Sequence, residues 1–244
     1  MKILVCISKT PETTAKISFT DDNSKFNTDG VQYILNPYDE WYALVRAVEL
    51  KEAQGGSVTV INVGPAANDI VIRKALAIGA DEAIRVDTDP QSALSAAKQI
   101  AAQAVGYDLI MTGKETIDYA GNEVGAMVAE LLDLPYISYA NKLEVEGGTA
   151  TVTREIEGGS ETATAALPLV VSAAKGMAEQ RIPNMRGIMM AKRKPLSVVP
   201  AVEVAEKVAL TSYELPPAKG GVKLLEADQM DELVRLLKEE AKVI

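Results

Sequence analysis

The chain of 244 residues contains no histidine. That excludes Ser-His-Asp and Cys-His nucleophiles, His-ligated zinc and iron, and an imidazole pH switch. The single cysteine, Cys6, excludes an intramolecular disulfide and a thiolate zinc site, and fits a reducing compartment. Aromatic residues make up only 5% of a chain that is 48% hydrophobic, so the core is built from Val, Ile, Leu and Ala. This is the palette of buried parallel strands with helices on both faces. A net charge of −9 argues against nucleic acid as a partner. No apolar run approaches the ~18 residues of a membrane span, and Lys9 and Pro11 end the run Met1–Ile7 too early for a signal peptide. The expectation is a cytoplasmic protein without stable membrane insertion.

What is present alternates strand and helix signals. Lys2–Ile7 reads as a buried first strand, and Asp21-Asp22-Asn23 marks a hairpin turn within Ile17–Thr28. Asn36-Pro37 reads as a capped helix start, followed by Trp41, Leu44, Val45 and Val48 at helical spacing and stopped by Gly55-Gly56. On that reading Asp39 and Glu40 are acids favoured by the helix dipole. Strands over Ser57–Val63, Ala83–Val86 and Asp108–Thr112 then alternate with helices over Ala67–Ile78, Pro90–Val105 and Asn122–Leu132. Such alternation predicts a parallel sheet with right-handed crossovers. Beyond Pro135 the texture changes to hairpins around Glu146-Gly147-Gly148 and Gly158-Gly159, a buried strand Pro168–Ala173 and a long exposed loop Gly176–Gly187. The segment Pro200–Gly221 reads as extended and Asp228–Val243 as an amphipathic helix. The organisation expected is one α/β domain over residues 1–200 and a C-terminal arm over 201–244.

The strongest chemical signal is the loop after the strand Asp108–Thr112. It runs Gly113-Lys114-Glu115-Thr116-Ile117-Asp118-Tyr119-Ala120-Gly121-Asn122-Glu123-Val124 into Gly125. Open parallel sheets bind ligands at the carboxyl ends of their strands, and the following helix offers free N–H groups to a phosphate. Gly121 allows close backbone approach and Asn122 can donate a hydrogen bond. The same residues also read as an ordinary connection with two convenient glycines. A Walker loop and a Gly-x-Gly-x-x-Gly fingerprint are both absent. Met185, between Pro183-Asn184 and Arg186-Gly187, reads as part of an adaptable docking surface.

At these residues the chain resembles the β subunits of electron-transfer flavoproteins. Asp29-Gly30-Val31 with Asn36-Pro37-Tyr38-Asp39-Glu40 is similar to an early family segment, and Lys74–Asp81 to its next helix. Val152–Gly159, Glu161 and Leu167–Ser172 resemble its signature region, and Ile188–Lys192 the stretch after its docking loop. The resemblance implies a three-layer parallel-sheet nucleotide-binding domain of the adenine nucleotide α-hydrolase-like type, with the arm packing on an α subunit. It implies an electron carrier rather than an enzyme. The FAD is held mainly by the α subunit, and electrons pass from flavin dehydrogenases such as acyl-CoA dehydrogenases to a quinone reductase or similar acceptor. By position, Cys6, Asn36, Pro37, Tyr38, Asp39, Val63 and Gly113–Val124 would line a pocket for a structural AMP. Tyr38 would approach the flavin, and Met185 falls at the apolar anchor that docks dehydrogenases. The family pattern has Asn-Gln-Thr where this chain has Asn122-Glu123-Val124, and an acidic pair where it has Tyr119-Ala120. Val124-Gly125 is instead similar to members holding a second FAD. AMP is the favoured occupant, with a second FAD or an empty site as alternatives. A stand-alone adenine-nucleotide sensor of similar fold is the competing reading.

Overall fold

The computed structural model describes residues 1–244. In chain order its strands are β1 (Lys2–Cys6), β2 (Lys9–Pro11), β3 (Phe19–Thr20), β4 (Lys25–Phe26), β5 (Tyr33–Leu35), β6 (Ser57–Val63), β7 (Glu82–Asp87), β8 (Leu109–Gly113), β9 (Tyr136–Glu146), β10 (Thr149–Ile156), β11 (Gly159–Ala166), β12 (Leu169–Ala173) and β13 (Leu196–Pro200). The helices are α1 (Asp39–Gln54), α2 (Asp69–Ile78), α3 (Ala93–Ala104), α4 (Val124–Leu132), α5 (Met185–Ala191) and α6 (Met230–Arg235).

Nine strands form one sheet in the order β11-β10-β9-β12-β8-β1-β6-β7-β13. The seven from β9 to β13 pair in parallel, and the hairpins β9-β10-β11 add an antiparallel edge. Burial follows this plan. Every residue of β12 is buried, as a central strand covered on both faces requires. Buried and open positions alternate along β10, which has one covered face.

Two apolar clusters lie on opposite faces of the sheet. Leu44, Val48, Ile72 and Leu76 of α1 and α2 pack with Ile3, Val5 and Val60. Ala97 and Ile100 of α3 and Val128 and Ala129 of α4 pack with Leu4, Ile61 and Ile110. The result is the three-layer α/β arrangement that alternating strands and helices imply.

The expected hairpin near Asp21 is β3-β4, with Phe19 opposite Phe26 and left-handed backbone at Asp21, Asp22 and Asn23. Two expectations change. The end of the loop read over Gly176–Gly187 winds into α5, because the Asn184 side chain accepts from the Gly187 N–H at 2.8 Å. The extended segment is preceded by β13, an edge strand on β7 that an apolar run of only a few residues did not announce.

Contacts divide the chain into two compact units, Met1–Ser212 and Tyr213–Ile244. Within the second, α6 continues into a π-helical turn over Leu236–Glu240, and Arg235 pairs with Glu232 and Glu239. No helix is long and apolar enough to cross a membrane.

Candidate functional site

From β1 the chain builds outward to β6 and β7, then returns past β1 to form β8 on its other side. Connections leave β1 and β8 in opposite directions, so a crevice opens at their carboxyl ends. A cavity of about 460 Å³ lies there. Its walls are Cys6–Lys9 after β1, Ile61–Pro65 at the end of β6, Thr112–Thr116 at the end of β8, and the loop through Tyr119 and Gly121–Gly125.

Residues at the starts of α1 to α4 reach this cavity, and the starts of α3 and α4 differ. At α3 the Ser92 hydroxyl accepts from the Ser95 N–H at 3.1 Å and donates to the Glu206 carboxylate at 2.7 Å, so protein groups already occupy that end. Hydrogen bonds from Ser95, then Ser92 and Gln91, hold the Glu206 carboxyl below its usual range. At α4 the residue before the helix, Glu123, is exposed and makes no side-chain cap. The first N–H groups of α4 are therefore left for another acceptor. The sequence placed this helix start at Asn122; it begins at Val124 because Asn122 has left-handed backbone and its amide donates to the Tyr139 hydroxyl at 2.8 Å.

Close packing fixes the loop. A β-carbon on Gly113 would stand 2.7 Å from Glu40 Cγ, and one on Gly125 2.7 Å from Thr112 Oγ1. Neither position accepts a larger residue without movement. Over Gly121 the close neighbour is the Tyr119 ring. Ala120 also has left-handed backbone, and its N–H donates to the Thr116 carbonyl at 2.9 Å to close a turn.

Asn36 does not cap α1, contrary to the sequence reading. The residue before the helix is Tyr38, with φ 65° and no side-chain cap. Asn36 is fully buried, and its side chain bonds distant groups and reaches the Glu40 carboxyl. Its Nδ2 donates to the Glu115 carbonyl and its Oδ1 accepts from the Ile117 N–H, both at 3.1 Å. Glu40 also departs from the dipole reading. It is 6% exposed and accepts from the Ser8 N–H at 2.6 Å and the Ser8 hydroxyl at 2.7 Å. Burial pushes its carboxyl up to about 8, against the pull of the Ser8 bonds. Burial and, secondarily, Glu40 raise the Cys6 thiol, so it stays protonated and unreactive.

On the other side of the segment Lys114–Ile117 lies a second cavity of about 300 Å³, lined by Pro37, Tyr38, Asp39, Tyr42, Lys114, Glu115, Ile117 and Lys175. Lys114 pairs with Glu115 at 3.1 Å and sits over the Tyr139 ring. Burial raises the Asp39 carboxyl, with Lys114 opposing.

The residues singled out from the sequence thus divide. Cys6, Val63, Gly113, Thr116, Tyr119, Gly121, Asn122, Glu123 and Val124 line the large cavity; Pro37, Tyr38, Asp39 and Ile117 line the small one; Lys114 and Glu115 line both. Asn36, Asp118 and Ala120 line neither. Sequence reasoning passed over Ser8, Tyr139 and the pair Asn62–Asn68. In that pair Asn68 Nδ2 donates to Asn62 Oδ1 at 2.9 Å, and Asn62 Nδ2 donates to the Ile7 carbonyl at 2.8 Å. No local motif marks them. Buried Arg85 supports the same wall, donating to the Gly64 carbonyl at 3.0 Å and pairing with Asp69 at 2.9 Å.

Away from both cavities, Met185 is 74% exposed at the start of α5, with Ile182, Ile188 and Met189 also exposed beside it in sequence. The preceding loop is anchored to α1. Trp41 Nε1 donates to the Arg181 carbonyl at 3.3 Å, and the Arg181 guanidinium clasps Glu52.

The family model for the electron transfer flavoprotein domain matches residues 24–204. The chain is 38% identical to the electron transfer flavoprotein subunit beta of Bacillus subtilis, over all of both chains. It is 37% identical to that of Syntrophomonas wolfei, covering 92% of this chain and 90% of the relative, and 35% identical to the human protein over 100% and 99%. The model match covers the helix that carries Met185 and most of the lining of both cavities, and the full-length match to the Bacillus subtilis protein adds Cys6–Lys9, so the chain belongs to the electron transfer flavoprotein family, among its β subunits.

Proposed function

We propose that this chain holds a structural AMP in the large cavity and, with an α subunit, encloses an FAD against the small cavity beside Tyr38. The observation that carries the nucleotide assignment is the contrast between the starts of α3 and α4, the two helices on that face of the sheet. The α3 end is filled by Ser92 and Glu206, while the α4 end is uncapped and faces the cavity. A phosphate accepts hydrogen bonds from such free N–H groups and is favoured by the helix dipole. The cavity volume falls in the roughly 300–1,000 Å³ range of small-molecule sites. The need for glycine at 125 is met by packing against Thr112 and Tyr136, so Val124-Gly125 gives no separate support to a second FAD.

FAD supplies the redox chemistry, accepting and releasing electrons, and this chain's residues bind and orient. Electrons enter from flavin dehydrogenases, such as acyl-CoA dehydrogenases, that dock on the apolar surface around Met185, and leave to a quinone reductase or similar acceptor. The arm after residue 200 packs on the α subunit of a cytoplasmic heterodimer.

Purification from the native host tests this reading against a stand-alone nucleotide sensor. The carrier reading expects a yellow one-to-one complex with an α subunit. A colourless, stable homodimer contradicts it.

A further inference from the structure

We propose that Asn36 is a positioning residue that locks Lys114–Ile117 as a common wall between the two cavities, so that nucleotide on one side and flavin on the other strengthen each other's binding. The inference rests on the assignment of AMP and FAD to these cavities.

Lys114 and Glu115 line both cavities, Thr116 only the large one and Ile117 only the small one. A segment this thin has no core of its own, and its shape depends on where its backbone groups are bonded. Four anchors hold it, one being the Asp39 carboxyl, which accepts from the Glu115 N–H. The Lys114 N–H donates to the Ala173 carbonyl at 2.8 Å, tying the start to β12. The Thr116 carbonyl accepts from the Ala120 N–H, closing the far end as a turn. Between them Asn36 takes the Glu115 carbonyl and the Ile117 N–H, one with each end of its amide.

Both groups of that amide are used on the wall, the amide also reaches the Glu40 carboxyl, and Asn36 is 0% exposed and lines neither cavity. Glu40 lines only the large cavity, so the wall segment is what connects Asn36 to both. The amide supplies a donor and an acceptor together. Leucine, of similar size, supplies neither.

A ligand on either side restricts the same four residues. Once one ligand has ordered them, the other binds with less ordering left to do, which is positive coupling without any large movement. Thermodynamic linkage makes the effect equal in both directions.

The test measures FAD affinity of the deflavinated heterodimer with and without saturating AMP, and AMP affinity with and without FAD. In the unaltered complex each ligand is expected to tighten the other by about tenfold, within the usual range of coupled sites. In Asn36→Leu the two ratios are expected to fall to within about twofold of unity while each ligand still binds alone. Hydrogen exchange at Ile117 in the unaltered complex is expected to slow with either ligand, a readout that needs no variant. Unaltered complex that binds AMP with no change in FAD affinity overturns the inference alone, as does full coupling in Asn36→Leu. Complex that binds no AMP at all overturns the nucleotide assignment together with the inference.

Discussion

The Glu40 carboxylate closes on Ser8, taking the backbone N–H at 2.6 Å and the hydroxyl at 2.7 Å at the end of the first strand. Burial outweighs these bonds and raises the carboxyl from its ordinary 4.5 to about 8. The folded protein thus keeps a proton there that the unfolded chain releases above pH 4.5. The stabilising effect is complete below that pH and is lost as pH climbs through about 8. Glu40→Gln is neutral and keeps both a donor and an acceptor for Ser8. The stability of the unaltered complex relative to this variant is expected to fall between these limits, with a slope of at most about 1.4 kcal/mol per pH unit. Denaturant unfolding at a series of pH values checks it. A pH-independent difference contradicts the assignment.

Glu123 stands at the entrance to α4, exposed and uncapped, on the lining of the large cavity. A carboxylate there repels a phosphate bound to the same helix start. Through water that repulsion amounts to about 1 kcal/mol, so Glu123→Gln is expected to tighten AMP about fivefold at low salt. The gain should shrink as ionic strength rises. Calorimetric titrations at two salt concentrations decide the matter, and equal affinities at low salt count against a phosphate at this end.

Gly125 packs under Thr112 and Tyr136, with an added β-carbon 2.7 Å from Thr112 Oγ1 and 3.0 Å from Tyr136 Oη. Alanine is favoured over glycine in a helix by about 1 kcal/mol, whereas overpacking costs about 1–3 kcal/mol. Gly125→Ala is therefore expected to lower the melting temperature and to weaken nucleotide retention by displacing the first turn of α4. An unchanged melt shows that the strand end can yield.

Met185 is 74% exposed, so truncating it removes little folded-state packing and stability should change by no more than about 0.5 kcal/mol. Met185→Ala is expected to slow electron transfer from dehydrogenases with flavin content intact, and Met185→Leu to preserve most of the rate. Stopped-flow reduction of the complex by a dehydrogenase measures both. Equal rates for all three proteins remove Met185 from the docking surface.

The layered fold was legible because its signals are local. Apolar runs such as Leu109–Met111 are buried on both faces, and helices such as α2 present one stripe to the sheet. The large cavity was legible too, since its loop follows a strand and precedes a helix. Asn36 was misread because Asn before Pro is a common helix entry, and nothing nearby shows that its partners lie 79 and 81 residues away. Glu40 was misread for a related reason. An acid in the first turn of a helix is ordinarily solvated, and only the return of Ser8 against it makes this one buried. The division of one loop between two cavities is likewise set by which strand ends meet, and no spacing in the sequence records it.

AMP in the large cavity is the central claim. Mass spectrometry of the small molecules released by denaturing the purified heterodimer tests this most directly. One AMP and one FAD per heterodimer is the expected result. Two FAD with no AMP, or FAD alone, would contradict it.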